Sequence, residues 1–264
     1  MIERFPAGDV TLSVQQLGTG PPLLLVHGFP LDHTMWTGQA AELAQAWRVI
    51  APDLRGFGRS QVVPGTATMS QLADDLARLL DTLQITGPVT YCGLSMGGYI
   101  AWQFWRRHRE RLARLVLCDT RAVADTPEVA RGRQLVADQV LAEGARVAAD
   151  AMLGRLFSDH TRQQQPQLVD QTRQVILATD PQGIAAAQRG MAQRPDVTTW
   201  LPEIAVPTLV VCGAHDAISG PAEMQAIARA IPGARYAELP DAGHMAPLES
   251  AAGFNAALRS FLAG

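Results

Sequence analysis

No window of this sequence approaches the apolar length of a membrane span, and the start, Met1-Ile2-Glu3-Arg4-Phe5-Pro6, has none of the uninterrupted apolar stretch of a secretory signal. The expectation is a soluble, cytoplasmic protein with no membrane partner. The basic excess that nucleic-acid binding needs is missing too, because 22 Lys and Arg stand against 25 Asp and Glu, a formal net charge of -3. No nucleic-acid partner is expected. Cysteine is scarce: Cys92, Cys118 and Cys212 each close an apolar run, which suits buried reduced thiols better than a disulfide framework, a metal site or a catalytic thiol. Internal repeats are absent, and Gln163-Gln164-Gln165 is too short to count as low complexity.

What is present is a chain of 264 residues, 47% hydrophobic and 18% charged, enough for one large domain with a deep core. Its first half alternates helical stretches with apolar, β-rich runs at Pro22 to His27, Trp47 to Ala51, Pro88 to Cys92 and Leu115 to Cys118. Such alternation predicts an α/β fold, a mostly parallel twisted sheet with helices on both faces. The runs are apolar at every position, as strands buried on both faces must be. Asp9 to Gln16 alternates instead, which fits an antiparallel edge strand with one wet face. From about Ala122 to Thr199 strand-like runs vanish, and Thr126-Pro127-Glu128 and Asp180-Pro181 each pair an N-cap residue with an N1 proline. Strand character resumes at Val206 to Gly213 and Arg235 to Leu239, followed by an amphipathic helix from Ala251 to Leu262. The division expected is a core of residues 1–121 and 200–264, with a helical cap at 122–199 inserted into its sheet.

The chemistry centres on Gly93-Leu94-Ser95-Met96-Gly97, which follows an apolar strand directly and precedes a helical stretch. A serine at such a turn sits in strained backbone, and flanking glycines let strand and helix approach closely. Its hydroxyl is a weak nucleophile until a base takes the proton, so a histidine and an orienting acid are required downstream. Asp216, just past the strand ending at Cys212, and His244, in the loop after the next strand, occur in the required order. Ser95 is therefore read as nucleophile, His244 as base and Asp216 as orienting acid. Asp119, at the end of the Leu115 to Cys118 run, is the competing acid. The N–H groups of Phe29 and Met96 are the expected oxyanion-hole donors. Gly28 and Trp36 are assigned to substrate binding, His33 shares with Trp36 the choice between lining the pocket and packing a loop, and His27 is read as structural.

His27-Gly28-Phe29-Pro30, the Pro52-to-Ser60 segment, the Ser95 elbow, Gly213-Ala214-His215-Asp216 and Gly243-His244 together resemble the α/β-hydrolase superfamily, over nearly the whole chain. Within it the sequence is similar to the branch of carboxylesterases, 3-oxoadipate enol-lactonases and cofactor-free haloperoxidase or perhydrolase esterases. Ser95 stands where the haloalkane dehalogenases and epoxide hydrolases of this fold carry aspartate. His108-Arg109-Glu110-Arg111 lacks the usual proline of its turn, and Asp53 matches a family aspartate read as tying its own turn together. The resemblance implies an esterase acting through an acyl-enzyme, with no metal or organic cofactor and a small ester or lactone as partner. Enol-lactone hydrolysis would want a cation for the substrate carboxylate, for which Arg121 and Arg189 are available. Perhydrolysis, a ligand-binding receptor on the same fold, and cofactor-free oxygenation by the His-Asp pair are the other readings. Met152, Leu153, Leu156, Phe157 and Met191, with Trp200, are candidates to roof an acyl pocket, or simply to pack the cap. The Arg106-to-Arg111 cluster is read as a solvated helix end.

Overall fold

The computed structural model describes residues 2–264. Eight strands form one sheet: β1 (Ile2–Ala7), β2 (Val10–Leu17), β3 (Pro22–Val26), β4 (Arg48–Pro52), β5 (Val89–Leu94), β6 (Leu112–Cys118), β7 (Thr208–Gly213) and β8 (Arg235–Leu239), in the order β1-β2-β4-β3-β5-β6-β7-β8. β2 runs antiparallel to both neighbours, and the pairings from β4 through β3 to β8 are parallel. Every residue of β5 and β7 is buried. Strands covered on both faces need apolar side chains throughout, which explains their unbroken hydrophobic spelling.

One edge expectation is corrected. Val10–Leu17 is antiparallel but lies second from the edge, paired outward with β1 and inward with β4. The edge belongs to β1, whose burial runs exposed for its first three residues and whose Pro6 lies opposite Thr11. An edge strand tolerates proline and charge because half its backbone groups already face water. β6 also starts three residues earlier than its apolar run, at Leu112.

The helices follow in chain order: α1 (Thr37–Leu43), α2 (Met69–Thr82), α3 (Met96–Arg107), α4 (Pro127–Glu143), α5 (Arg146–Leu156), α6 (Asp159–Gln164), α7 (Pro166–Ala178), α8 (Pro181–Met191), α9 (Pro221–Ala230), the short α10 (Ala246–Glu249) and α11 (Ala251–Ala263). Five of them, α4 to α8, lie between β6 and β7. Thr126 caps α4 by accepting from the Val129 N–H, and Asp180 caps α8 by accepting from the Gln182 N–H. With proline at N1, both starts follow from local chemistry alone.

α8 docks on the segment that precedes α2 through close backbone contact, with the Ala67 N–H donating to Ala186 O at 3.0 Å. A Cβ on Gly190 would lie 1.7 Å from Ala67 O. Alanine is the better helix former by about 1 kcal/mol, but forcing a methyl against backbone costs about 1–3 kcal/mol or more. At 1.7 Å the clash wins. Gly190→Ala is expected to lose about 2 kcal/mol, read as a fall of about 4–8 °C in Tm by calorimetry; an unchanged or raised Tm would show that α8 can lift away freely.

Candidate active site

The carboxyl ends of β3, β5, β6, β7 and β8 point the same way, so their loops converge at one rim, where parallel α/β sheets form crevices. Ser95 joins β5 to α3 with φ 52° and ψ -108°. A non-glycine residue there costs on the order of 1–3 kcal/mol, so the surroundings must hold it. They do so through the Ser95 N–H donating to Cys118 O at 2.9 Å, while its carbonyl accepts from Gly98 N–H (2.9 Å), Tyr99 N–H (3.1 Å) and Thr120 Oγ1 (2.8 Å). Space is equally constrained: a Cβ on Gly97 would meet Val26 O at 2.4 Å. Met96 contributes the first N–H of α3, a group with no intrahelical acceptor, at the positive end of the helix.

His244 and Asp216 are both buried, and His244 Nδ1–H donates to Asp216 Oδ2 at 2.8 Å. With the proton on Nδ1, Nε2 keeps its lone pair. Asp216 also accepts from the N–H groups of Ile218 (2.7 Å) and Ser219 (3.1 Å) at Oδ1, and from Ser219 Oγ (2.7 Å) at Oδ2. Burial alone would raise this carboxyl, but the His244 charge and hydrogen bond, with the backbone donors, hold it well below the usual carboxylate range. Asp119, the competing acid, makes no bond to His244. Its Oδ1 accepts from Gly213 N–H at 2.8 Å and its buried Oδ2 is unpartnered. Burial and the neighbouring Asp216 charge push its carboxyl well above the usual range.

Ser95, His244 and Phe29 line one cavity of about 180 Å³, together with Tyr99, Met152, Met191, Ile218 and the charged residues Arg121, Asp125, Arg133 and Arg155. Three of the assigned residues thus line one cavity, with Asp216 behind His244. Trp36 does not join them and its assignment is corrected. It is fully buried against Phe254, ring centroids 6.1 Å apart, because the loop that carries it turns inward toward α11. Gly28 is not on the cavity wall either; it fits under the elbow, where a Cβ would meet Leu94 Cδ2 at 3.0 Å and Ser95 Cβ at 3.5 Å.

His33 is likewise occupied, donating through Nδ1 to Asp53 Oδ1 at 2.6 Å. Asp53 accepts in addition from the His33 and Arg59 N–H groups, both at 2.9 Å, the turn-tying role expected of it. His27 donates from Nδ1 to Gly28 O and accepts at Nε2 from the Leu54 N–H, both at 2.9 Å, so neither nitrogen is left for proton transfer.

Of the proposed roof, Met152 and Met191 reach the cavity. Leu156 and Phe157 are buried in the hydrophobic core, Leu153 packs against it, and Trp200 stacks on Trp105 with the Arg106 guanidinium 5.4 Å above its ring. Arg189 is engaged by Asp138 at 2.9 Å and is not on the wall, whereas Arg121 is on the wall but its Nε–H is shared between the two carboxylate oxygens of Glu223, at 2.9 and 3.0 Å. The 106–111 cluster is tied to α2 by Arg107 and His108 on Asp74 and by Arg111 on Asp81. Tyr99, Asp125, Arg133 and Arg155 were not anticipated. Tyr99 carries a signal, one helical turn after Ser95 on the same face. The other three have none, since only the path of α4 and α5 brings them to the cavity.

Two clusters bring together metal-ligating side chains, Asp32-His33-Asp53 and Asp119-Cys212-Asp216. In the second, burial and the neighbouring carboxyls push the Cys212 thiol up, burial pushes the Asp119 carboxyl up, and Asp216 is already saturated with donors. The first is closed by the His33–Asp53 pair. Neither set suits a cation, which needs deprotonated ligands with free lone pairs. Among the described residues no helix is long and apolar enough to cross a membrane.

Known proteins share this fold. A thermophilic esterase from Thermogutta terrifontis, solved with malate bound, superposes with a TM-score of 0.97 at 48% identity, covering 99% of this chain and 98% of that one. The enol-lactonase from Burkholderia xenovorans gives a TM-score of 0.92 at 34% identity, covering 99% and 100%. In sequence, 3-oxoadipate enol-lactonase 1 of Acinetobacter baylyi is 31% identical over 241 residues, 90% of this chain and 88% of the relative. The alpha/beta hydrolase fold family matches residues 21–251, and the chain belongs to that family.

Proposed function

We propose that the protein is a serine hydrolase cleaving carboxylic esters, with Ser95 as nucleophile, His244 as base and Asp216 as its orienting acid. The observation that carries this reading is the buried His244–Asp216 bond facing a cavity whose wall includes the strained Ser95. His244 Nε2 takes the Ser95 proton as the oxygen attacks the acyl carbonyl, and the Phe29 and Met96 N–H groups receive the oxyanion. Collapse expels the alcohol with the proton held by His244 and leaves an acyl-enzyme. His244 then deprotonates water, which releases the acid and restores Ser95. Residues 122–199 act as a cap that roofs the acyl pocket through Met152 and Met191. The test is turnover of p-nitrophenyl butyrate together with the mapped position of a fluorophosphonate label, which belongs on Ser95. Full turnover by Ser95→Ala with the label elsewhere would overturn the assignment.

The cavity supports a second reading, an ester or lactone bearing a carboxylate, as in enol-lactone hydrolysis. Asp125 is neutralised twice over, by Arg133 at 2.6 Å and Arg194 at 2.7 Å, and Arg121 by Glu223. Arg155, at the end of α5, reaches the same wall with no partner among the described residues. A guanidinium free at a cavity mouth suits a bidentate carboxylate. Arg155→Ala is expected to lower kcat/KM for the p-nitrophenyl monoester of glutaric acid about tenfold while leaving p-nitrophenyl butyrate nearly unchanged. Equal effects on both esters would remove the carboxylate reading.

A further inference from the structure

We infer that Glu249 is a positioning residue that clasps the end of α5 to the loop carrying His244, so that one carboxylate sets the base and the cavity wall together. The inference rests on the proposed role of His244. Glu249 Oε1 accepts from the Met245 N–H at 3.0 Å, next in sequence to His244, and Oε2 accepts from the Ser158 N–H at 2.9 Å, two residues past α5. Around it the same two segments are joined again: Met245 N–H reaches Leu156 O at 3.1 Å, and Ser158 Oγ donates to Asp241 O at 2.9 Å. They touch without side chains between them, since a Cβ on Gly243 would lie 2.6 Å from Ser158 N and 3.0 Å from Phe157 C.

α5 presents Met152 and Arg155 to the cavity, one turn apart, and ends at Leu156. Its position relative to the reacting serine is therefore fixed through the very loop that holds the base. Both segments lie outside helices and strands, so side-chain and backbone bonds of this kind set their positions. The His244 loop has no regular structure from Asp241 to Met245, and Phe157 to Ser158 is a bare corner between two helices. The two oxygens of a carboxylate accept from both N–H groups at once. An amide of the same shape would turn its NH2 toward one of two donors, losing a hydrogen bond and adding a repulsion. Glu249→Gln is thus a change of chemistry at constant volume.

The experiment measures kcat and KM for p-nitrophenyl butyrate, and the second-order rate of inactivation by a fluorophosphonate, in wild type, Glu249→Gln, Ser158→Ala and Ser95→Ala. Displacement of a catalytic group by a fraction of an ångström costs about 10- to 100-fold. Glu249→Gln is expected to lose that much in kcat and, by the same factor, in inactivation rate. Inactivation needs Ser95 and His244 but no acyl turnover, so a residue that merely packs the corner would leave it unchanged. Ser158→Ala cuts the neighbouring bond to Asp241 and should cost about fivefold, non-additively with Glu249→Gln. Wild-type kcat and inactivation rate in Glu249→Gln, with Ser95→Ala inactive, overturn the clasp and leave the triad standing. If Glu249→Gln does not fold, Glu249→Asp, whose shorter side chain draws the carboxylate back from the Met245 and Ser158 N–H groups, decides alone, a wild-type inactivation rate overturning the inference. Full activity in Ser95→Ala would instead remove the reading on which the inference rests.

Discussion

Ser95→Ala is expected to lower kcat for p-nitrophenyl butyrate by about a million-fold, equivalent to about 8 kcal/mol of transition-state stabilisation. The size follows from what the side chain does. In the proposed mechanism it forms the covalent bond, and without it His244 has no hydroxyl proton to take. The three groups act as one unit, so His244→Ala added to Ser95→Ala should cost almost nothing further. What remains is catalysis by the oxyanion donors and binding alone, about 10³- to 10⁴-fold over water. Stability should change little or rise, since Ser95 is held at φ 52° by bonds from its backbone rather than its hydroxyl. A folded, inactive Ser95→Ala is therefore the expected pair of results. Cofactor-free oxygenation by His244 and Asp216 makes the opposite forecast, because its activity survives loss of the serine, and a binding protein on this fold would show no turnover in either form.

Much of this was legible because the central strands are buried on both faces and have to be spelled in apolar residues. The sheet from β3 to β7 could be read from Leu23-Leu24-Leu25-Val26 and Thr208-Leu209-Val210-Val211-Cys212 alone. β1 was not legible, for the converse reason. At an edge, Ile2-Glu3-Arg4-Phe5-Pro6-Ala7 needs no alternation and gives no pattern to find. The elbow could be located because its backbone demands glycines at fixed offsets, a constraint that is local. Trp36 was misplaced because a large aromatic near a glycine turn looks the same whether it faces a substrate or Phe254. The charged part of the cavity was hidden for a different reason. Arg133 and Arg155 sit 22 positions apart on different helices, and Glu249 reaches Ser158 across 91 residues. Such meetings are products of tertiary packing, and no periodicity announces them.

Asp216→Asn should lower kcat by about 10⁴-fold with the fold retained. The amide keeps the shape, and its oxygen continues to accept from Ile218 and Ser219, but its NH2 now faces His244 Nδ1 and demands a lone pair there. The imidazole proton moves to Nε2, where the base must instead have room to accept. The variant also has a pH signature. Because the folded carboxyl lies below its ordinary value, Asp216 contributes stability that is fully present above about pH 4, the unfolded value, and is lost as pH falls through the folded one. Wild type and Asp216→Asn should therefore converge in stability toward acid pH, measured by urea unfolding between neutral pH and the acid limit. Asp119 is the obvious substitute acid, since its side chain lies within 4.8 Å of Asp216. Its carboxyl, however, is pushed up by burial and bonded to Gly213 rather than to the imidazole, so it lacks the geometry to orient His244. Adding Asp119→Asn to Asp216→Asn should leave the residual rate where it was. A further drop of about tenfold or more would mean that Asp119 had taken over the imidazole, and that the two carboxyls at the ends of β6 and β7 share the role assigned to one.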